Sequence, residues 1–331
     1  MSKFIDWINK YSEELGLEYS IFDWTRELDA ELYDIQSSSK SNGKILTGRG
    51  TDKDKDTAII KATAEVLERY FLDRLSEADS SNGVAIHTER QSAELSALFE
   101  LLERDSFFCH FLTKTPFGSI DSTIVNDSSL CRSILDLLES KGAEIRFGQM
   151  NTDSRFSGVV CAIFGTNSTN GFGMTLGTSV KQTLHESILS ALLESARSAV
   201  GYLSLTSEEL TTLRNAGNAV CSTPEHHLLV GLEKNYADRF KRAFFDTPAP
   251  ILEKSELDFN DISISSFMPL IDEDSTTINP PLFLSRASSK SLLNLYFGDF
   301  VAHEQKTMRL SSFLGREILC DEINRDVHPF G

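Results

Sequence analysis

Paired glutamates are the residues of this chain whose type and spacing could do chemistry. They occur in two motifs of the form Glu-x-x-Glu-Arg, which are Glu65-Val-Leu-Glu68-Arg69 and Glu100-Leu-Leu-Glu103-Arg104. Side chains three residues apart on a helix project side by side, so each motif could present two carboxylates to one ion. Oxygen ligands without histidine or cysteine partners suit Mg²⁺, which proteins hold with a few carboxylates together with substrate phosphates. One such motif is typical of a solvated helix face, whereas two copies favour an enzyme that handles a nucleotide.

Three amphipathic helices must position these carboxylates. Apolar residues at helical spacing predict helices at about residues 57–75, 92–112 and 180–203. The first two helices carry the two motifs, and the third carries a version of the motif with one carboxylate, Glu194, and with Arg197 on the same side. The sequence therefore predicts three helices that direct acidic side chains at one metal-bound nucleotide.

The rest of the chain mixes helical and extended patterns. Further helices are predicted at residues 3–15 and 131–140, and strands at 143–149, 157–164 and 171–177. The Asn170-Gly171 pair suits a hairpin between the last two strands. Residues 204–255 are predicted to be rich in helix, and residues 260–300 to hold two more strands. The predicted fold class is α/β (α+β).

Composition and charge restrict the class of protein. The chain has 331 residues, of which 40% are hydrophobic, so it is long enough to bury a core unaided. Its net charge of −17 disfavours binding to nucleic acid or to an anionic membrane, because it repels phosphates. The five cysteines have no metal-binding or disulfide spacing, which is typical of reduced cytosolic thiols. With no signal peptide and no apolar run of roughly 18 residues, a cytoplasmic location is expected.

The usual nucleotide-binding signatures do not occur in this sequence. There is no G-x-x-x-x-G-K-[ST] motif, and Gly48-Arg-Gly50 is not followed by the third glycine of a dinucleotide fingerprint. A nucleotide would therefore bind in a site of another kind.

The adjacent His226 and His227 are predicted to lie on the surface, since neighbouring helical residues do not face one ion together. Cys161, within an apolar run, is predicted to lie in the core.

Several segments, taken in order, resemble the YcaO family. They are Gly48-Arg-Gly50 before the first motif, Ser81-Asn-Gly83 before the second, Ala191-Leu-Leu-Glu194 in the third helix, and Leu292-Leu-Asn-Leu-Tyr-Phe-Gly298 further on. The resemblance identifies residues 45–331 as a YcaO-like ATP-binding catalytic domain with a C-terminal tail, preceded by an N-terminal helix and lead-in segment at residues 1–44. It implies a fold of mixed sheets with long amphipathic helices around an ATP site.

The resemblance implies an ATP-dependent peptide cyclodehydratase of the azoline-forming branch, of the kind that modifies azole-containing microcins. In that branch, a Cys thiol or a Ser or Thr hydroxyl of a ribosomal precursor peptide attacks the preceding carbonyl. ATP phosphorylates the amide oxygen, and loss of phosphate leaves a thiazoline or oxazoline. The implied partners are a leader-binding protein and a flavin-dependent azoline dehydrogenase, with a homodimer within a larger complex as a further option. Thioamide or amidine formation stays open as an alternative, as does a degenerate nucleotide-binding scaffold.

The resemblance also implies roles for individual residues. Mg²⁺ would be held by Glu65, Glu68, Glu100, Glu103 and Glu194. ATP would be contacted by Ser81, Arg104 and Arg197, and by Glu65 and Glu194 of the metal set. The tail residues His328, Pro329 and Phe330 would reach the catalytic site, although Gly331 follows them where family members often have proline.

Four positions depart from the family pattern. Ser190 and Arg197 stand where many relatives carry an arginine before the late glutamate and a glutamine after it. Thr88 and Ser92 replace a supporting asparagine and an acid. Arg197 is predicted to restore the positive charge that is lost at Ser190. Ser190, Thr88 and Ser92 are the residues that would favour the degenerate scaffold.

Overall fold

The computed structural model describes residues 2–28, 30–41, 43–72, 82–216, 223–252, 256–273 and 276–330. Contacts within the chain divide it into two compact units. Unit 1 comprises residues 1–101 and 262–289, and unit 2 comprises residues 102–261 and 290–331. The predicted segments 1–44 and 45–331 concern the extent of the family resemblance, and that division stays a prediction.

Helices and strands are mixed along the chain. The helices are α1 (Ser2–Tyr11), α2 (Lys55–Leu72), α3 (Arg90–Thr113), α4 (Ser122–Asn126), α5 (Ser129–Ser140), α6 (Leu184–Leu203), α7 (Ser207–Ala216), α8 (Pro224–Gly231), α9 (Lys234–Phe244) and α10 (Glu304–Leu314). The strands are β1 (Glu18–Ile21), β2 (Tyr33–Ser41), β3 (Lys44–Asp52), β4 (Val84–His87), β5 (Gly118–Ser119), β6 (Ala143–Met150), β7 (Ser157–Gly165), β8 (Met174–Lys181), β9 (Ser263–Phe267), β10 (Ile271–Glu273), β11 (Thr276–Ile278) and β12 (Phe283–Ser288). Among the described residues, no helix is both long enough and apolar enough to cross a membrane.

Unit 1 packs α2 closely against an antiparallel sheet of β1, β2 and β3. The close approach requires glycine in β3. A Cβ atom at Gly48 would collide with the carbonyl oxygen of Ala62, and one at Gly50 with that of Ala58. A second antiparallel sheet has the order β4-β12-β9, and an apolar cluster that includes the fully buried Phe4 joins it to α1 and α2. The strand β3 and the helix α2 therefore form one tightly packed pair.

Unit 2 contains a similar pairing of a strand with a helix. Its antiparallel sheet has the order β5-β6-β7-β8, and α6 packs on β7 and β8. A Cβ atom at Gly177 of β8 would collide with the carbonyl oxygen of Ala191 on α6. The central strand β7 is buried almost throughout, and Cys161 within it is fully buried, as predicted.

The predicted α/β class is confirmed, while one strand and one helix begin later than expected. The hairpin predicted at Asn170 joins β7 to β8, but β8 begins at Met174 rather than at residue 171. The Asn170 side-chain amide donates to the carbonyl oxygens of Tyr202 and Leu205, at 2.9 and 2.6 Å, and this ties the hairpin loop to the end of α6.

The helix α6 begins at Leu184, four residues after the predicted start, because Thr183 caps it. The Thr183 hydroxyl accepts from the backbone N–H of Glu186, and the Glu186 carboxylate accepts from the backbone N–H of Thr183. Residues 260–300 contain the short strands β10 and β11 in addition to β9 and β12, where two strands were predicted.

Candidate functional site

In unit 1, two of the predicted glutamates are held by backbone N–H groups of strands. The N–H of Arg49 on β3 donates to Oε2 of Glu65 on α2 at 2.8 Å. The N–H of Val84 on β4 donates to Oε2 of Glu100 on α3 at 3.1 Å. A backbone donor favours the ionised form of a carboxylate and restricts its rotamer. One oxygen of each glutamate is therefore fixed to a strand.

Glu68 lies one helical turn after Glu65 and is partly buried. Burial and the negative charges of Glu100 and Glu65 raise the pKa of Glu68 well above its usual value, and Arg69 offsets only part of this effect. Arg69 forms an ion pair with Glu65 at 2.7 Å. Unit 1 thus brings its three predicted glutamates together. A divalent cation would stabilise the ionised form of Glu68.

In unit 2, Glu194 of α6 is held in the same way. The backbone N–H of Thr178 on β8 donates to Oε2 of Glu194 at 2.9 Å. The Thr178 hydroxyl donates to Oε1 of Glu103 at 2.7 Å, and Arg104 donates to the same oxygen at 3.0 Å. The Arg104 and Glu103 side chains are both mostly buried. One threonine therefore links the end of the second acidic motif to the glutamate of the third helix.

The charges around Glu194 are mixed. Burial and the neighbouring Glu103 raise the pKa of Glu194 to about 7, while Arg104, Arg197 and the Thr178 N–H act in the opposite direction. The influence of Arg197 on Glu194 agrees with its predicted place on the same side of the helix. Carboxylates attract a metal ion and guanidinium groups attract phosphate oxygens. These side chains therefore suit a phosphate that carries a bound cation.

The three glutamates held by backbone donors share one sequence register, which the sequence analysis missed. In each case the donor lies 16 residues before the glutamate. The residue before each donor is a glycine, and an alanine stands three residues before each glutamate. These residues are Gly48, Gly83 and Gly177, and Ala62, Ala97 and Ala191. A search for Gly-x16-Glu with alanine three residues before the glutamate would have identified the repeat.

The tail of the chain, residues 326–330, packs into unit 2. His328 is fully buried, and Pro329 and Phe330 are buried with it. The guanidinium carbon of Arg104 lies 4.6 Å from the centre of the Phe330 ring, so the tail contacts the arginine predicted to bind phosphate. The catalytic role of the tail stays a prediction.

Two predictions concern residues outside the described part of the chain. Ser81 was predicted to contact ATP, and Gly331 was noted as the departure from the family's proline. Thr88 and Ser92 are described. Thr88 lies two residues before α3, and Ser92 lies in its first turn, where the Ser92 hydroxyl is 3.4 Å from Oε2 of Glu89. Ser92 therefore interacts with the residue that precedes the helix.

The prediction that both adjacent histidines lie on the surface was wrong for His227, which is fully buried. Its Nδ1 atom is 3.3 Å from Nδ1 of His328, a residue 101 positions away in the sequence. The helix α8 was judged by its local pattern alone, and the partner that buries His227 comes from the tail. Only the folded chain brings these two histidines together.

Asp105 is a second residue whose role the sequence analysis missed. Its buried carboxylate accepts from Arg309 at 2.6 Å and from the backbone N–H of Leu293 at 2.9 Å. The ion pair therefore anchors the beginning of the segment Leu292–Gly298, which resembles the family. Arg309 could not have been identified as the partner, because 204 residues separate it from Asp105.

The donor set of the two acidic groups fits Mg²⁺ that is bound together with phosphate. Among the described residues, no group of three or more His, Cys, Asp or Glu side chains is arranged to hold a metal ion by itself. Mg²⁺ usually keeps several waters and takes further ligands from substrate phosphates. The raised pKa values of Glu68 and Glu194 identify the carboxylates whose ionised forms a cation would stabilise.

Comparison with protein families matches residues 73–263 to a model described as "YcaO cyclodehydratase, ATP-ad Mg2+-binding". The match covers more than half of the chain, and the chain belongs to the YcaO family. The matched range includes the acidic motif of α3 and Glu194, whereas the motif of α2 and the tail lie outside it. ATP and Mg²⁺, the ligands expected from the acidic motifs, are those that describe the family.

Solved structures share the fold at low sequence identity. A chain of the E. coli microcin synthetase McbBCD complex gives a TM-score of 0.55 at 12% identity, over 78% of this chain and 85% of that chain. The same complex with pro-MccB17 bound gives 0.57 at 13% identity, over 83% and 88%. A heterocyclase in complex with substrate and cofactor gives 0.66 at 11% identity, over 99% of this chain but 57% of that chain, so the present chain spans little more than half its length. Comparison with curated protein sequences found no match.

Proposed function

We propose that this YcaO-family chain is an ATP-dependent cyclodehydratase that converts Cys, Ser or Thr residues of a ribosomally made precursor peptide to thiazoline or oxazoline rings. The side-chain thiol or hydroxyl loses its proton and attacks the preceding backbone carbonyl carbon, which closes the ring. The resulting oxyanion takes the terminal phosphoryl group of ATP and leaves ADP. Phosphate then departs as the amide nitrogen loses its proton, and the C=N bond of the azoline forms. ATP is consumed as a substrate, and Mg²⁺ neutralises phosphate charge when bound. Family membership and the fold shared with microcin synthetase chains support this proposal.

The observation that carries the proposal is the charge arrangement around Glu194 in unit 2. A carboxylate with a pKa of about 7 is influenced by two arginines, Arg104 and Arg197. A metal ion alone would be repelled by the arginines, and an anion alone would be repelled by the carboxylates. A polyphosphate that carries a cation uses both kinds of group.

The residues of unit 1 have the simpler task of binding the cation. Glu65, Glu68 and Glu100 would hold Mg²⁺ through carboxylate oxygens, and the N–H groups of Arg49 and Val84 would keep two of these carboxylates in place. The assignment of all five glutamates to a single Mg·ATP shell remains a prediction from the family resemblance. The protein's side chains take little part in covalent steps, because phosphoryl transfer depends mainly on positioning and charge stabilisation.

The proposed enzyme works with other proteins in the cytoplasm. A leader-binding partner would present the precursor peptide, and a flavin-dependent azoline dehydrogenase would oxidise the azolines to azoles. The named microcin synthetase is itself a complex, which supports an assembly of this kind. A homodimer within the complex is compatible with the same proposal.

Reconstitution tests this function directly. The full chain, its leader-binding partner, Mg·ATP and a precursor peptide rich in Cys, Ser and Thr should give a peptide that has lost one water per ring, as measured by mass spectrometry. Glu100→Gln should abolish the loss of water, whereas Glu139→Gln, at an exposed position of α5, should not. Ring formation by Glu100→Gln at the wild-type rate would contradict the site.

The same measurement separates azoline formation from two of the alternative functions, thioamide formation and a degenerate scaffold. A gain in mass from the exchange of oxygen for sulfur would identify thioamide formation. Mg·ATP binding without any change in the peptide would indicate a degenerate scaffold.

A further inference from the structure

The buried pair of His227 and His328 joins the tail to α8 through a defined set of hydrogen bonds. The backbone N–H of Gly298 donates to Nε2 of His227 at 3.2 Å, so this nitrogen is an acceptor and Nδ1 carries the proton. Nδ1–H of His227 can then donate to the carbonyl oxygen of His328, which lies 3.0 Å away. On the other ring, Nε2 of His328 donates to the carbonyl oxygen of Tyr296 at 2.5 Å. Both imidazoles are therefore neutral, each with a fixed tautomer.

The same tautomer of His328 fixes the end of the tail. Its Nδ1 atom accepts from the backbone N–H of Phe330 at 3.3 Å, and the Phe330 ring is buried within unit 2. That ring meets Phe107 edge to face, with 4.7 Å between ring centres, and its face lies under the Arg104 guanidinium. The position of Arg104 thus depends on the ring beneath it as well as on the carboxylate of Glu103.

We propose that His227 is a positioning residue that locks the tail into unit 2 and thereby holds Phe330 beneath Arg104. The inference deepens the proposed function, because it rests on Arg104 as a phosphate contact. A guanidinium held between a carboxylate and an aromatic face has fewer conformations to lose when it binds phosphate. His227 contacts neither phosphate nor metal in this scheme and acts only through the tail.

Two variants of His227 test whether its hydrogen bonds hold the tail in place. His227→Leu fills the same space with an apolar side chain and removes the hydrogen bonds to Gly298 and His328, whereas His227→Gln keeps one acceptor for Gly298 and one donor for His328. Hydrogen exchange of the peptide that carries residues 326–330, followed by mass spectrometry on the full chain, should speed up in His227→Leu and return towards wild type in His227→Gln. His226→Gln, at the neighbouring position, is the matched control and should leave exchange unchanged.

Titration with Mg·ATP tests the connection to Arg104. His227→Leu should raise the dissociation constant about three- to tenfold, the size expected for loss of one partly buried cation–π contact. Phe330→Leu should raise it by a similar factor, and the double variant by no more than either single variant, because both changes remove the same support. His227→Gln should recover most of the affinity.

Each outcome decides a separate point. If residues 326–330 stay protected from exchange in His227→Leu, His227 does not hold the tail in place. If the tail is released and the affinity for Mg·ATP is unchanged, the tail does not support Arg104 in binding. Additive effects of His227→Leu and Phe330→Leu would also overturn that connection. If His227→Leu does not fold, Phe330→Leu with wild-type affinity would overturn the support of Arg104 by the ring. A wild-type chain that binds no Mg·ATP would refute the proposed function, and the exchange measurement would still decide the lock.

Discussion

Units 1 and 2 both hold glutamates against strands, but they differ in how they balance the charge. Among the described residues of unit 1, the arginine that offsets part of the pKa shift of Glu68 is Arg69, which is about half exposed and is paired with Glu65. In unit 2, Arg104 is mostly buried beside Glu103, and both Arg104 and Arg197 influence Glu194. Burial is the main cause that raises the pKa of both carboxylates. Arg69 offsets part of this effect at Glu68, whose pKa is well above its usual value, whereas Arg104, Arg197 and the Thr178 N–H offset part of it at Glu194, whose pKa is about 7.

This difference indicates that the two units favour ligands of different charge. A cluster of carboxylates with little internal compensation gains most from an external cation, so unit 1 suits metal binding. A cluster that contains its own guanidinium groups can accept negative charge as well, so unit 2 suits phosphate. We therefore expect substitutions in the two units to differ more in how they change the affinities for Mg²⁺ and ATP than in how much they slow ring formation.

Removal of one buried carboxylate should produce the largest effect. Glu68→Gln and Glu194→Gln should each slow ring formation by about 10²–10³-fold, the size typical for loss of a group that stabilises transition-state charge. In the ligand-free protein at pH 8, Glu68→Gln should raise Tm more than Glu194→Gln, because Glu68 is the less compensated carboxylate. Activity assays and thermal unfolding measure the two effects. Equal changes in Tm would remove the distinction between the units.

The glycines beneath the helices should give the next largest effect. Gly48→Ala and Gly177→Ala should each lower the free energy of unfolding by about 1–3 kcal/mol, because the added Cβ collides with helix backbone. Gly201→Ala is the matched control on α6. No atom lies within 4 Å of its added Cβ, so it should be neutral or stabilising by up to about 1 kcal/mol. Urea denaturation measures these changes, and a Gly177→Ala protein as stable as Gly201→Ala would contradict the close packing.

The pH dependence of Mg·ATP binding should distinguish unit 2. Protons compete with the cation at Glu194, so the dissociation constant should rise as the pH falls below about 7, by at most about tenfold per pH unit. For the ligand-free protein the sign is opposite. The folded state holds this proton more tightly, so Glu194 lowers the free energy of unfolding as the pH rises from 4.5 to about 7.

Glu194→Gln provides the control for this pH dependence. Titration of the nucleotide itself is common to both proteins, so the difference between wild type and variant isolates Glu194. Identical pH profiles of the two proteins would contradict the assignment.

The smallest effect should come from Arg197. Since Arg197 favours the ionised form of Glu194, Arg197→Ala should move the midpoint of the pH profile to higher pH and weaken Mg·ATP binding severalfold at pH 7. Arg197→Lys keeps the charge and should restore the midpoint better than the affinity, because lysine lacks the planar donor pair of arginine. Unaltered ATP use by Arg197→Ala would refute the role of Arg197 in binding.

Local patterns in the sequence predicted the acidic helices and the strands β6, β7 and β8, because hydrophobic periodicity records which face of an element is buried. The strands β1 to β5 were not predicted. The same patterns placed Glu65, Glu100 and Glu194 on helices that pack against strands. The hydrogen bonds that hold these glutamates follow from a repeated spacing, which the sequence contained and which could have been found.

Contacts between distant segments could not be predicted in this way. His227 is buried by the tail, and Asp105 is paired with Arg309, each across more than 100 residues. No periodicity within α8 or α10 carries information about such partners. For the same reason the sequence suggested a functional tail through family resemblance, but gave no indication that Phe330 lies against Arg104.

The constant interval of 16 residues between donor and glutamate restricts where the chain can change in length. One residue inserted between Thr178 and Glu194 would turn the glutamate by about 100° around α6, away from the N–H that holds it. Insertions and deletions among relatives should therefore avoid the three intervals that end at Glu65, Glu100 and Glu194, and should collect in connections outside them. The three intervals consequently provide fixed points for aligning relatives whose overall identity is too low for ordinary sequence comparison.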